Sequence, residues 1–247
     1  MDIFRAMANG KTTLQEDCKI RMPLTPEERS LGFSPPKMSD ITWRIFRIMA
    51  EFVEGFQFLS RTEREVSIFG SARLPSSNRW YQEAERLGHK LGENGYTVVT
   101  GGGPGIMEAA NKGCYEAGAT SVGLNIQLPK EQRMNPYVTM SHAFYYFFTR
   151  KVMLAASAQA YVFFPGGFGT LDEAFEILTL IQTKKSEPMP TVFVGKDYWA
   201  PLVAWLDTTV YGAYDAVGRD DLRFLAVVDT AEEAYALIAK SNERTMF

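Results

Sequence analysis

From residue 66 onward, short apolar runs alternate with longer amphipathic stretches. Val66-Ser67-Ile68-Phe69-Gly70, Tyr96-Thr97-Val98-Val99-Thr100, 121–124, Ala160-Tyr161-Val162-Phe163-Phe164, Thr191-Val192-Phe193-Val194 and Phe224-Leu225-Ala226-Val227-Val228 read as buried strands. Between and after them, 80–93, 107–117, 144–156, 198–211, 230–241 and the stretch carrying Leu171, Ala174, Phe175, Leu178 and Ile181 read as helices. Strands alternating with helices predict an α/β fold, a Rossmann-like doubly wound parallel sheet covered on both faces. Ligands in such sheets bind outside the carboxyl ends of the strands.

The chain upstream behaves differently. Over residues 39–60, Ile41, Ile45, Ile48, Met49, Phe52, Phe56 and Leu59 recur with a 3.6-residue period behind Ser39 or Asp40, either of which can cap a helix. So apolar a helix needs a partner surface, either the domain core or another subunit. Residues 1–38 are polar and irregular, with prolines at 23, 26, 35 and 36, and read as an arm with a helical turn near 25–28. The expected organisation is an arm and amphipathic helix over 1–60, then the Rossmann-like domain over 61–247.

Three glycine-bearing segments fall at carboxyl ends of strands: Gly70-Ser71-Ala72-Arg73, Gly101-Gly102-Gly103-Pro104-Gly105 and Pro165-Gly166-Gly167-Phe168-Gly169-Thr170-Leu171-Asp172-Glu173. In the last, a strand enters a glycine turn that opens a helix. Such a turn lets backbone N–H groups approach an anion, and the helix N-terminus adds partial positive charge. Thr170 adds a hydroxyl, and Glu173 follows one turn later. A tight turn with a solvated acid would explain the glycines alone; three loops meeting on one rim favour a site. The 101–105 loop fails the dinucleotide fingerprint, at Ile106 or at Glu108 depending on where it starts, and no Walker lysine follows any loop. Arg150-Lys151 puts two cations in the apolar stretch Phe147-Phe148-Thr149-Arg150-Lys151-Val152-Met153-Leu154, where an anion has to pair with them unless one snorkels to solvent. His89 and His142 stand alone without metal-ligand or nucleophile spacing and read as structural. Phe144-Tyr145-Tyr146-Phe147-Phe148 reads as core or subunit contact.

Composition narrows the functional classes. At 247 residues with 46% apolar and 13% aromatic residues, the chain suits one large α/β domain with an extension, or at most two small domains. A net charge of −3 argues against a nucleic-acid partner. No apolar run approaches the roughly 20 residues of a membrane span, and no secretory signal opens the chain. Cys18 and Cys114 lack metal-ligand spacing and read as reduced thiols, so the expected location is cytoplasmic.

Together these residues resemble the Lonely Guy family, the cytokinin riboside 5′-monophosphate phosphoribohydrolases, whose members were long labelled lysine decarboxylases. The resemblance lies in Arg150-Lys151 followed by Pro165 to Glu173, in the loop Gly101 to Glu108, and in Phe69-Gly70-Ser71-Ala72-Arg73; it spans about residues 66–195. It implies hydrolysis of a nucleoside 5′-monophosphate to free base and ribose 5-phosphate, with Arg150 and Glu173 catalytic. Ser71, Gly102, Gly103, Lys151, Gly166, Gly167, Phe168, Gly169 and Thr170 would bind substrate, with no cofactor and no metal. The decarboxylase label lacks a lysine placed for a Schiff base. Where family members carry Ser-Asp-Ala before the strand, this chain has Ala158-Gln159-Ala160, which removes an acid expected near the site's edge. The long N-terminal part resembles larger members, which tend to form assemblies beyond the dimer, so a homo-oligomer, a dimer or higher, is expected. Two other classes share these loops: a non-hydrolytic carrier like the molybdenum-cofactor carrier proteins, and a nucleotide sensor acting through the 39–60 helix. The preferred base stays open, its slot expected from loop 129–137 or a neighbouring subunit.

Overall fold

The computed structural model describes residues 38–127, 134–156 and 158–241. Among them, unbroken runs of buried residues form strands covered on both faces, as parallel sheets require. The strands of the described residues are β1 (Glu65–Phe69), β2 (Thr97–Thr100), β3 (Ser121–Ile126), β4 (Met140–Phe144), β5 (Ala160–Phe163), β6 (Thr191–Val194) and β7 (Ala226–Val228), of which β1, β2, β5 and β6 are buried throughout. All join one sheet in the order β4-β3-β2-β1-β5-β6-β7, each pair parallel. The helices are α1 (Met38–Leu59), α2 (Arg79–Glu93), α3 (Ile106–Glu116), α4 (Phe147–Ala156), α5 (Phe168–Gln182), α6 (Lys196–Trp205) and α7 (Ala231–Ile238).

Alternating side chains feed two cores. β5 sends Ala160 and Val162 to the face under α2, α3 and α7, with Leu87, Ile106 and Ile238. Its Tyr161 and Phe163 go to the other face, with Leu59, Phe144, Met153, Ile177 and Trp199. Successive strands run outward from β1 to β4; the chain then returns to β5, on the far side of β1, and runs outward again. That reversal opens a crevice at the carboxyl ends of β1 and β5.

The chain divides into compact units Met1–Arg44 and Ile45–Phe247. Of the first, the described part is the start of α1. Within the second, the end of α1 joins a core: Leu59 is fully buried, Phe52, Phe56 and Phe58 pack beside it, and a methyl on Gly55 would run into Met153. Further back, Ile45, Phe46, Met49 and Val53 stay exposed.

Five expectations need correction. β4 is a strand the apolar pattern does not reveal, because Met140-Ser141-His142-Ala143-Phe144 is an edge segment that alternates burial and is held by backbone pairing with β3. Helix α4 therefore begins at Phe147 rather than at 144. β7 begins at Ala226, since Arg219–Phe224 winds into a 3₁₀ helix, and the helix expected over 198–211 ends at Trp205 and widens into a π-helical turn over Leu206–Tyr211. Gln159 precedes β5 and donates its N–H to Glu65 O (2.6 Å), so it lies at the sheet's amino end, opposite the crevice. The missing acid is thus remote from the site.

Cys114 is buried, its thiol pushed up to about 11 by burial. Cys18, the turn near 25–28 and residues 129–133 of the expected base loop lie outside the described residues. Among the described residues, no helix is long and apolar enough to cross a membrane.

Candidate active site

Three strand-end loops are stitched together at the crevice. Ser71 donates its N–H to Pro165 O (3.0 Å), and Ser71 O accepts from the N–H of Ile106 (3.0 Å), joining the ends of β1 and β5 to the start of α3. Close approach depends on Gly70, where a methyl would meet the Ile106 side chain, and on Gly105, which has φ 71° and no room for a Cβ against Ser71 O. Gly105→Ala is expected to destabilise the fold by about 2 kcal/mol or more, combining left-handed strain with overpacking. Gly169→Ala, where the space is open, should leave the thermal midpoint little changed. Equal midpoints for the two variants in a melting experiment would refute this account of the junction.

The start of α5 presents helix N–H groups to the crevice. Gly167 caps the helix, and the first helical bond runs from Leu171 N–H to Gly167 O (3.0 Å). The N–H groups of Phe168, Gly169 and Thr170 therefore have no acceptor within the helix. These three residues form the first helical turn, not the preceding loop, because the helix begins as soon as the glycine pair has turned the chain. Thr170 is buried beneath Gly166, where a Cβ would collide with its hydroxyl. Tyr198 donates its hydroxyl to Gly166 O (2.5 Å), fixing the Gly166–Gly167 peptide plane. Phe168 is 92% exposed at the rim.

A cleft of about 950 Å³ opens over this helix start, lined by Ser71, Gly101, Met107, Phe147, Arg150, Gly166 to Glu173 and Tyr198. Arg150 reaches it from α4. Arg150 Nη1 stands over Gly101, 3.6 Å from where a Cβ would lie, an ordinary contact distance; the side chain a Cβ there would crowd is Met107. Among the described residues the Arg150 side chain has no hydrogen-bond or ion-pair partner: its Nε is buried and unpaired, and the group lies 5.3 Å from the Phe147 ring centroid. Burial lowers its pKa while the charge of Glu173 opposes that shift.

Glu173, 7% exposed, faces the same cleft from α5. Burial pushes its carboxyl up to about 7; Lys151 and Arg150 pull it down, Glu176 and Asp172 push it up, and burial wins. An acid and a guanidinium thus share one cleft without touching, which leaves room between them for a ligand.

Other predicted residues take different positions. Lys151 pairs with Asp172 (2.7 Å) and Glu176 (2.9 Å) on α5, outside the cleft lining. Burial works to lower its pKa, but the paired Asp172 and Glu176 carboxylates and the charge of Glu173 together outweigh burial and raise it. Gly102 spends its N–H on Thr100 Oγ1 (2.9 Å) and its carbonyl on Asn135 N–H (2.9 Å), while Gly103 O accepts from Asn135 Nδ2 (3.1 Å). These two glycines build the turn beneath the site, and Gly101 is the one that lines it. His89 lies 3.6 Å from Glu93, and His142 packs against Phe144 and Phe58; neither lines the cleft. Tyr198 was not foreseen. Its one sequence signal is an aromatic residue just beyond the carboxyl end of β6.

The model of the family described as "Possible lysine decarboxylase" matches residues 107–238. The chain belongs to this family. Among its relatives, cytokinin riboside 5′-monophosphate phosphoribohydrolase LOG of Oryza sativa subsp. japonica is 28% identical over 188 residues, 74% of either chain. The cytokinin riboside 5′-monophosphate phosphoribohydrolase of Rhodococcoides fascians is 25% identical over 152 residues, 59% of this chain and 75% of that one. Among solved structures, the structural-genomics target TM1055 superposes with a TM-score of 0.55 at 26% identity, covering 72% of this chain and 99% of that one. The molybdenum cofactor carrier protein of Chlamydomonas reinhardtii gives 0.53 at 21%, covering 72% and 97%, a likeness of fold alone. The span matched by this LOG-type family includes Arg150 and Glu173 but neither Ser71 nor α1.

Proposed function

We propose that the chain hydrolyses the N-glycosidic bond of a nucleoside 5′-monophosphate, giving free base and ribose 5-phosphate. The observation that carries this reading is the unpaired Arg150 guanidinium sharing a cleft with a buried Glu173 beside an open helix N-terminus. The 5′-phosphate binds the N–H groups of Phe168, Gly169 and Thr170. The Ser71 hydroxyl, whose oxygen already accepts from Arg73 N–H (3.1 Å), donates to the same group. Cleavage builds positive charge at C1′. The Glu173 carboxylate stabilises that charge and takes a proton from the attacking water, whose oxygen bonds to C1′ as the bond to the base breaks. Arg150 orients the ribose hydroxyls and stabilises the departing base, which takes up a proton from solvent as Glu173 returns the one it took from water, so the carboxylate is regenerated. Gly102 and Gly103 serve by setting the height of Gly101. Lys151 holds α4 to α5 through its two ion pairs; an ammonium so paired stays protonated and is a poor Schiff-base nucleophile.

The substrate class includes AMP and cytokinin riboside monophosphates, the relatives' names supporting the latter. The protein acts as a homo-oligomer of at least two subunits. Exposed Ile45, Phe46, Met49 and Val53 of α1, a helix whose Arg47 lies over the exposed Tyr145 ring, support that assembly.

Because Glu173 acts as a carboxylate, kcat/KM should rise with pH through about 7 and then level. A profile flat from pH 5 to 9 would remove Glu173 from the base role. The direct test incubates the protein with AMP, GMP, CMP, UMP and isopentenyladenosine monophosphate and measures free base by chromatography. Release from any of them supports the reading and ranks the bases. Nucleotide binding without release would instead favour a carrier.

A further inference from the structure

Among the described residues Arg150 has no hydrogen-bond or ion-pair partner, and its ring contact is with Phe147 on the same turn of α4, so its direction depends on the backbone that presents that turn. That backbone is held from an unexpected place. Glu51, on α1 and 8% exposed, reaches across to the start of α4. Its Oε1 accepts from Tyr145 N–H (2.8 Å), and its Oε2 accepts from Tyr146 N–H (3.3 Å) and from the Thr149 hydroxyl (2.6 Å). Thr149 is fully buried and adjoins Arg150, whose own N–H closes the first turn onto Tyr146 O (3.4 Å). A carboxylate at this position satisfies N–H groups that the helix cannot and complements the positive helix end. It does so from outside the family-matched span, with nearly a hundred residues intervening in sequence.

We infer that Glu51 is a positioning residue for Arg150: it clamps the N-terminal turn of α4 so that the guanidinium stands over Gly101 and faces Glu173. This rests on the hydrolase reading above, in which Arg150 touches the substrate. The geometry assigns α1 a part in the reaction besides packing. A capping bond would also steady the fold, and that structural contribution has to be separated from alignment of Arg150. Energetic coupling separates them, because a residue that works only through Arg150 loses its effect once Arg150 is gone.

The experiment is a double-mutant cycle with Glu51→Ala, Arg150→Ala and the pair in the full-length protein, using the nucleotide released fastest by wild type. Circular dichroism and thermal melts confirm that each variant is folded. Glu51→Ala should lower kcat by on the order of tenfold to a hundredfold, the scale of a displaced catalytic group. KM should move much less, because the phosphate seat is on α5. Glu51→Gln, with one carbonyl oxygen left to accept, should recover part of the rate. In the Arg150→Ala background Glu51→Ala should change kcat by less than about threefold. An equal fold-loss in both backgrounds overturns the proposal, leaving Glu51 as a stabiliser of the fold. If wild type releases no base, the hydrolase reading fails by itself. The same cycle read as the Kd of AMP then decides between coupled and additive effects at Arg150.

Discussion

Glu173→Gln is expected to cut turnover by about a thousandfold, within the range for loss of a general base, while AMP affinity changes only a few-fold. The amide keeps the shape of the carboxyl but can neither take a proton nor carry the charge that offsets C1′. The same substitution should stabilise the folded protein above neutral pH. In the fold the carboxyl titrates near 7, above its ordinary 4.5, so the native state holds the proton more tightly than the unfolded chain does. The stability tied to that proton is complete below about 4.5 and is lost as pH rises through 7. At pH 8 the wild-type protein holds a buried charge whose cost is at most roughly 3 kcal/mol, and the glutamine variant does not. Its melting temperature should exceed wild type by several degrees at pH 8, and the two curves should converge near pH 5. Parallel curves across that range would show that burial does not strain Glu173.

Arg150→Ala should lower kcat/KM by on the order of a hundredfold to a thousandfold, the cost of removing one preorganised electrostatic partner. Arg150→Lys should not restore it, since an ammonium lacks the planar fork that spans two ribose oxygens. The alanine variant also makes a directional claim. Arg150 is one of two cations that pull the Glu173 carboxyl down, so its loss should shift the rising limb of the pH profile to higher pH. A profile that drops in height without moving would place the two groups too far apart to act on one substrate.

The sheet was legible because its central strands are short, mostly apolar runs followed closely by glycine, and Thr191–Val194 emerges with the predicted ends. β4 was not, because an edge strand can carry Ser141 and His142 and relies on hydrogen bonds that any sequence can make. At the site, the Pro165 to Glu173 segment announced a turn opening a helix, since glycine pairs and helical spacing are local signals. Which glycines face the cleft was not local. Gly102 and Gly103 look as permissive as Gly101, yet the side chains of Thr100 and Asn135 bind them from below. Lys151 sits beside Arg150 in sequence but turns to α5, because consecutive helical residues point about 100° apart. Glu51 had no signature, as its partners are backbone groups far along the chain.

The seat proposed for the phosphate consists almost wholly of main chain, with the N–H groups at the start of α5 supplying what a lysine supplies elsewhere. No exchange of side chains can delete it while the helix remains. Grip and chemistry are therefore separable by inheritance: a descendant of this scaffold could surrender its carboxylate and still hold a nucleotide. In such a lineage a hydrolase and a carrier would lie one substitution apart, and the persistence of the glycine turn would say nothing about which of them a given sequence encodes.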